Sequence, residues 1–166
     1  MTRVLSALAI TAAACTLWIA EASAGPTIKL KLQTAKPLTK SSARAMASFA
    51  MSESPMAYAS DSKSRSYGVN FCKIVKGKGK CSLDLSVPSV RMQGTITITP
   101  SYGKVGGKRA IKSFRSAFEV VTTCAGGSCG TPKVLDVTGS LWHRWDAADG
   151  EYDETKRTMR QVARES

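Results

Sequence analysis

The chain has 166 residues, with 24 lysines and arginines against 12 aspartates and glutamates, for a net charge of +12. That length suits one domain with a modest core. A single histidine excludes two-histidine catalysis and any histidine-rich metal site.

The first 24 residues read as a secretory signal peptide. Arg3 precedes an apolar run, Val4 to Ala20, and Ala22-Ser23-Ala24 is a small-x-small cleavage site. The mature chain is then expected as one β-rich domain over 25–166, exported to the periplasm or the extracellular space. No later apolar stretch is long enough to span a membrane. Of five cysteines, Cys15 leaves with the signal and Cys72, Cys81, Cys124 and Cys129 remain. In an exported chain an even number reads as two disulfides. Three pairings are possible, and turn chemistry favours the local one, Cys72–Cys81 with Cys124–Cys129.

Charge is uneven. Gly25 to Lys133 carries 18 basic and 4 acidic residues, and Val134 to Ser166 carries 5 basic and 7 acidic. Such a field attracts polyanions, while also serving plain solubility. The partners expected are an anionic polymer, a lipid surface or an envelope protein.

Thr27 to Gln33 alternates, with Ile28, Leu30 and Leu32 against Lys29 and Lys31, and predicts a half-buried strand. Residues 39–66 are serine-rich and predict a helix and loop. Within them Ala43 to Met51 has Met46, Phe49 and Ala50 on one side, and Pro55 stops the helix. Met46, Met51 and Met56 do not share a helix face, which argues for packing rather than copper binding.

Tyr67 to Val75 is apolar on both faces, from a covered central strand or a bulge near Cys72. Cys72 and Cys81 are symmetric about Lys76-Gly77, so a hairpin there opposes the cysteines, Lys73 with Lys80, and Val75 with Lys78. The result is a lysine finger, Lys73, Lys76, Lys78 and Lys80, a candidate anion contact. Cys81 to Val87 and Val90 to Ile98 alternate cleanly. A turn at Pro88-Ser89 pairs Leu85 with Met92, Leu83 with Gly94 and Cys81 with Ile96, all apolar sides on one face.

Pro100 to Lys112 predicts a basic loop holding a second candidate anion-binding set, Lys104, Lys108, Arg109 and Lys112. It lacks the Gly-Lys-Ser/Thr ending of a phosphate loop. Ser113 to Cys124 alternates again, and the glycines between Cys124 and Cys129 suit a small ring. Val134 to Trp145 is a further strand, with Leu135, Val137, Leu141, His143 and Trp145 on one side. Residues 149–165 predict a closing helix, acids early and bases late, with Asp153 and Arg157 an i,i+4 pair. The layout Tyr67-x-Val69-x-Phe71-Cys72, Cys81-Ser82-Leu83 and Cys124-x4-Cys129 loosely resembles periplasmic proteins of the invasion-associated locus B type. The likeness is confined to the cysteine neighbourhoods and carries no function across.

The pattern predicts a mainly β, single antiparallel sandwich or barrel-like domain with one or two peripheral helices. No cofactor motif is present and no metal site is expected, since Asp146, Asp149, Glu151, Asp153 and Glu154 miss the calcium-loop spacing. The leading expectation is a non-enzymatic binding or structural module. The alternatives are a nuclease-like hydrolase, with His143 as acid, Glu119 as base and Arg115 as phosphate clamp, and a specific protein binder, such as an inhibitor or adhesin subunit. The binder would use Thr27–Gln33 or Trp142 and Trp145.

Overall fold

The computed structural model describes residues 28–52, 68–87, 90–124 and 134–164. Helix α1 (Lys40–Ser52) precedes six strands: β1 (Gly68–Val75), β2 (Lys78–Val87), β3 (Val90–Val105), β4 (Lys108–Cys124), β5 (Val134–Asp146) and β6 (Glu151–Arg164). The strands pair antiparallel, in chain order, as one open meander. The mainly β, antiparallel expectation holds in that form. The described residues form neither a second sheet nor a closed barrel, and the second layer against the sheet is a helix.

Helix α1 starts where Thr39 caps it. The Thr39 hydroxyl accepts from Ser42 N–H at 3.1 Å, and the Ser42 hydroxyl accepts from Thr39 N–H at 3.0 Å, the reciprocal pattern of a capping box with serine in the third position. Ala43, Met46, Ala47, Phe49, Ala50 and Met51 are its buried residues. The helix lies close because β2 offers Gly79 beneath it: a Cβ there would stand 2.5 Å from Ala43 Cβ. Met46 and Met51 are core residues, so neither presents a thioether to solvent, and Met56 lies outside the described residues.

Across the sheet the buried face reads Val69, Cys81, Leu83, Met92, Ile96, Ile98, Phe114, Phe118, Val120, Val137 and Leu141. These are the alternate positions that the period-two pattern puts on one side. The β2–β3 register is the one the alternation predicts, Cys81 with Ile96, Leu83 with Gly94 and Leu85 with Met92. The alternative of a bulge near Cys72 is the one adopted. Register slips between Asn70 and Lys73, so Phe71 and Cys72 together oppose Cys81, and Phe71 takes φ 36°.

Four expectations are corrected. Residues 28–33 are not a strand of the sheet. β4 is paired by β3 along its length and by β5 only from Ser113 onward. Its overhang Arg109–Ile111 therefore keeps an open edge, and that edge takes just the residues around Thr34: Ile111 N–H donates to Gln33 O and Ala35 N–H to Arg109 O, each at 2.9 Å. Residues 100–112 are not a loop. β3 and β4 run on as a long hairpin closed by Gly106 and Gly107 at φ 54° and 76°, a two-residue turn that matches strand twist. Pro100 is tolerated because β2 has already ended beside it.

The described residues of the closing helix expected over 149–165 are not a helix. Glu151–Arg164 pairs with β5 over its whole length. The expected helix had only a thin apolar face, Tyr152, Met159 and Val162, to bury, whereas the strand satisfies the open backbone edge of β5, and tertiary pairing overrides local propensity. Asp153 and Arg157 accordingly lose their helical spacing, and Arg157 pairs with Glu154 at 2.7 Å instead. The sandwich or barrel is replaced by the open sheet for a related reason: every strand already finds both neighbours in chain order, except the edges β1 and β6.

Candidate functional site

A meander sends alternate turns to the same end. The β1–β2 turn at Lys76-Gly77, the β3–β4 turn at Gly106-Gly107 and the β5–β6 turn before Gly150 therefore share one end of the sheet. The two basic sets expected from the sequence lie on the first two of these hairpins. Lys73, Lys76, Lys78 and Lys80 lie on the first hairpin and Lys104, Lys108, Arg109 and Lys112 on the second, all eight exposed. Lys73 faces Lys80, Val75 faces Lys78 and Lys104 faces Arg109 across the ladders. Like charges so opposed are destabilising. Among the described residues none of the eight has an ion-pair partner. The Cys72–Cys81 disulfide ties the base of the first hairpin, which offsets that repulsion. For the other expected pair, Cys129 lies outside the described residues.

Between the hairpins is a cleft of about 340 Å³. Pro37, Leu38, Ile74 and Tyr102 supply its apolar lining, with Lys36 and Arg109 beside them. The Arg109 guanidinium lies 5.7 Å from the Tyr102 ring centroid, within cation–π range. Tyr102 Oη accepts from Leu38 N–H at 3.2 Å, which holds the 35–38 segment against the second hairpin. Lys36 and Tyr102 were not singled out from sequence. Tyr102 stands two residues before Lys104, a proximity that becomes meaningful only when the supposed loop is a strand.

The third turn is acidic. Asp146, Asp149 and Asp153 offer carboxylate oxygens within 4.8 Å of one another, all exposed. Asp153 is raised above the ordinary carboxylate range, first by desolvation and then by Asp149, Asp146 and Glu151. These acids crowd a turn and a strand start rather than a helix N-terminus. Lys29 caps the group by pairing with Glu151, which raises the lysine's pKa.

The structure does not assemble the expected hydrolytic trio. Arg115 and Glu119 do share a face of β4 and both are exposed. His143 is on the other face, fully buried, stacked on Phe114 at 4.9 Å and edge-on to Phe49 at 5.1 Å. Neither ring nitrogen has a hydrogen-bond partner among the described residues. Burial lowers its pKa to about 4, against a smaller raising effect of Glu154. A neutral imidazole walled in by aromatic rings cannot reach a substrate held beside Arg115. Of the aromatic pair expected as a binding surface, Trp142 is 40% exposed and Trp145 packs on Tyr152 with ring centroids 5.1 Å apart.

Tyr152, on the thin face of the expected helix, is buried on β6. Its hydroxyl donates to Ile111 O at 2.7 Å and accepts from Gln33 N–H at 3.2 Å. It joins β6, β4 and the N-terminal segment, and burial raises its pKa. No protein-family model, curated protein or solved structure matches this chain.

Proposed function

We propose that this chain is an exported, non-enzymatic binding module that presents the basic end of its sheet to an anionic partner: a polymer, a lipid surface or an acidic face of an envelope protein. The observation that carries the reading is the placement of eight exposed cations, none with an ion-pair partner among the described residues, on two hairpins that turn at one end of the meander. Clustered charge of one sign in water raises local anion concentration and steers association. The partly apolar cleft between the hairpins adds a shape that a purely electrostatic patch lacks. The disulfide at the base of the first hairpin suits an oxidising compartment.

The test is binding of the oxidised protein to heparin, double-stranded DNA, lipopolysaccharide and anionic vesicles at low and high salt. The variants are Lys76→Glu with Lys78→Glu on the first hairpin and Lys108→Glu with Arg109→Glu on the second. Retained affinity for one member at high salt, lost in both variant pairs, supports the reading. Weak binding to all members that vanishes with salt, unchanged in the variants, would overturn it.

A further inference from the structure

The sheet face opposite α1 carries a second concavity. Core-facing Gly79 and Phe114 touch the helix side, so the alternate residues Lys80 and Arg115 project from the other. There a groove of about 430 Å³ crosses the sheet from β2 to β6. Its central row follows the register Lys80, Thr97, Ala117, Ser140 and Thr158. Four strand spacings make that row about 19 Å long. The small side chains of Ala117 and Ser140 leave the middle of the row open. The charged lining is Lys80, Arg115, Arg160 and Glu119, and none of the four has an ion-pair partner among the described residues.

Hydroxyls form the remainder of the polar lining. Thr95, Thr97, Thr138 and Thr158 line the groove with Ser140, whose hydroxyl lies 2.9 Å from that of Thr158. At one border the Arg115 guanidinium lies 5.6 Å from the Trp142 ring centroid, and Trp142 is exposed. We infer that this groove binds an acidic oligosaccharide. Three cations call for an anionic ligand and the row length for a short oligomer. Glu119 separates sugar from phosphodiester: a carboxylate accepts hydrogen bonds from ligand hydroxyls but repels a DNA backbone, which has no hydroxyl donors along it. The threonine hydroxyls, able to donate and accept, match a ligand that does both. An apolar indole face at the border suits the C–H face of a sugar ring.

The inference goes beyond the hairpin reading, because the groove lies on the sheet face rather than at the turns and shares only Lys80 with the hairpin set. The test is calorimetric titration of the oxidised protein with tetragalacturonate, its neutral methyl ester and oligothymidylate, alongside amide and indole NMR shifts. Arg115→Gln and Arg160→Gln are each expected to weaken tetragalacturonate about tenfold, the size of one lost charge-assisted hydrogen bond. The pair Lys40→Gln with Arg44→Gln, exposed on α1 against the other face of the sheet, is expected to leave it within about twofold. Glu119→Gln is expected to weaken tetragalacturonate and to strengthen oligothymidylate.

NMR shifts in the wild-type protein should centre on Ala117, Ser140 and the Trp142 indole, a readout that needs no variant to fold. Equal binding of the neutral ester, no binding of tetragalacturonate, or shifts confined to Gly77 and Gly107 would overturn the groove assignment. Shifts confined to those turns would leave the hairpin reading standing.

Discussion

Replacing His143 by leucine tests the core and the pH response together. The imidazole is fully buried between Phe49 and Phe114, with neither nitrogen partnered among the described residues. Its pKa falls from 6.5 to about 4 because burial penalises the charged ring. The unfolded chain therefore takes up a proton near pH 6.5, while the folded protein refuses it until about pH 4. Full stability is present above pH 6.5 and is lost progressively as pH falls toward 4, where the loss levels off. A shift of that size corresponds to about 3 kcal/mol.

At neutral pH the two proteins should differ little. Leucine removes a buried unpartnered donor, a gain of about 1–2 kcal/mol, and forfeits ring contacts worth about 1 kcal/mol. The assay is urea unfolding of both proteins from pH 7 down to about pH 4. The advantage of His143→Leu should grow by about 3 kcal/mol over that range. Carboxylates titrate in both proteins, so the difference isolates the histidine. A difference that stays constant with pH would refute the burial argument.

Tyr152→Phe deletes the hydroxyl shared by Ile111 and Gln33 and should cost about 1–3 kcal/mol in thermal or urea unfolding. It should also speed amide exchange at Ile111, whose N–H bonds Gln33. Gly139→Ala brings a Cβ to 2.5 Å from Thr158 O and 2.7 Å from the Phe118 ring, so a loss of about 1–3 kcal/mol is expected by calorimetry. Phe71 is 88% exposed at φ 36°, so it has strain and little packing to lose. Phe71→Asn, which tolerates the left-handed region, should therefore stabilise by about 1 kcal/mol in denaturant unfolding. Removing the Cys72–Cys81 bond by a double alanine substitution should cost about 2 kcal/mol, the amount a short loop confers, and a Tm equal to that of the oxidised protein would count against it.

Strand faces and short-range register were legible in the amino-acid sequence because both follow from alternation. Once Leu83 must share a buried side with Met92 and Ile96, a one-residue slip would turn every one of them outward. Helix α1 was legible from the spacing of Met46, Phe49 and Ala50, and the first hairpin from its symmetry about Lys76-Gly77. The eight hairpin cations could be named from sequence, but not the shared end of the sheet at which their hairpins turn.

What the tertiary structure decided depends on pairing between distant segments. Glu151–Arg164 has local helical credentials and becomes a strand because β5 presents a full unpaired edge. Residues 100–112 look like a loop by composition and become hairpin arms because β3 and β4 keep pairing past the end of β2. His143 and Arg115 look like partners until the pleat puts them on opposite faces. The cross-sheet groove joins five strands and has no counterpart in any contiguous stretch of the chain. Backbone groups at a sheet edge must find partners wherever the chain can supply them, and local sequence does not say which edge will be open.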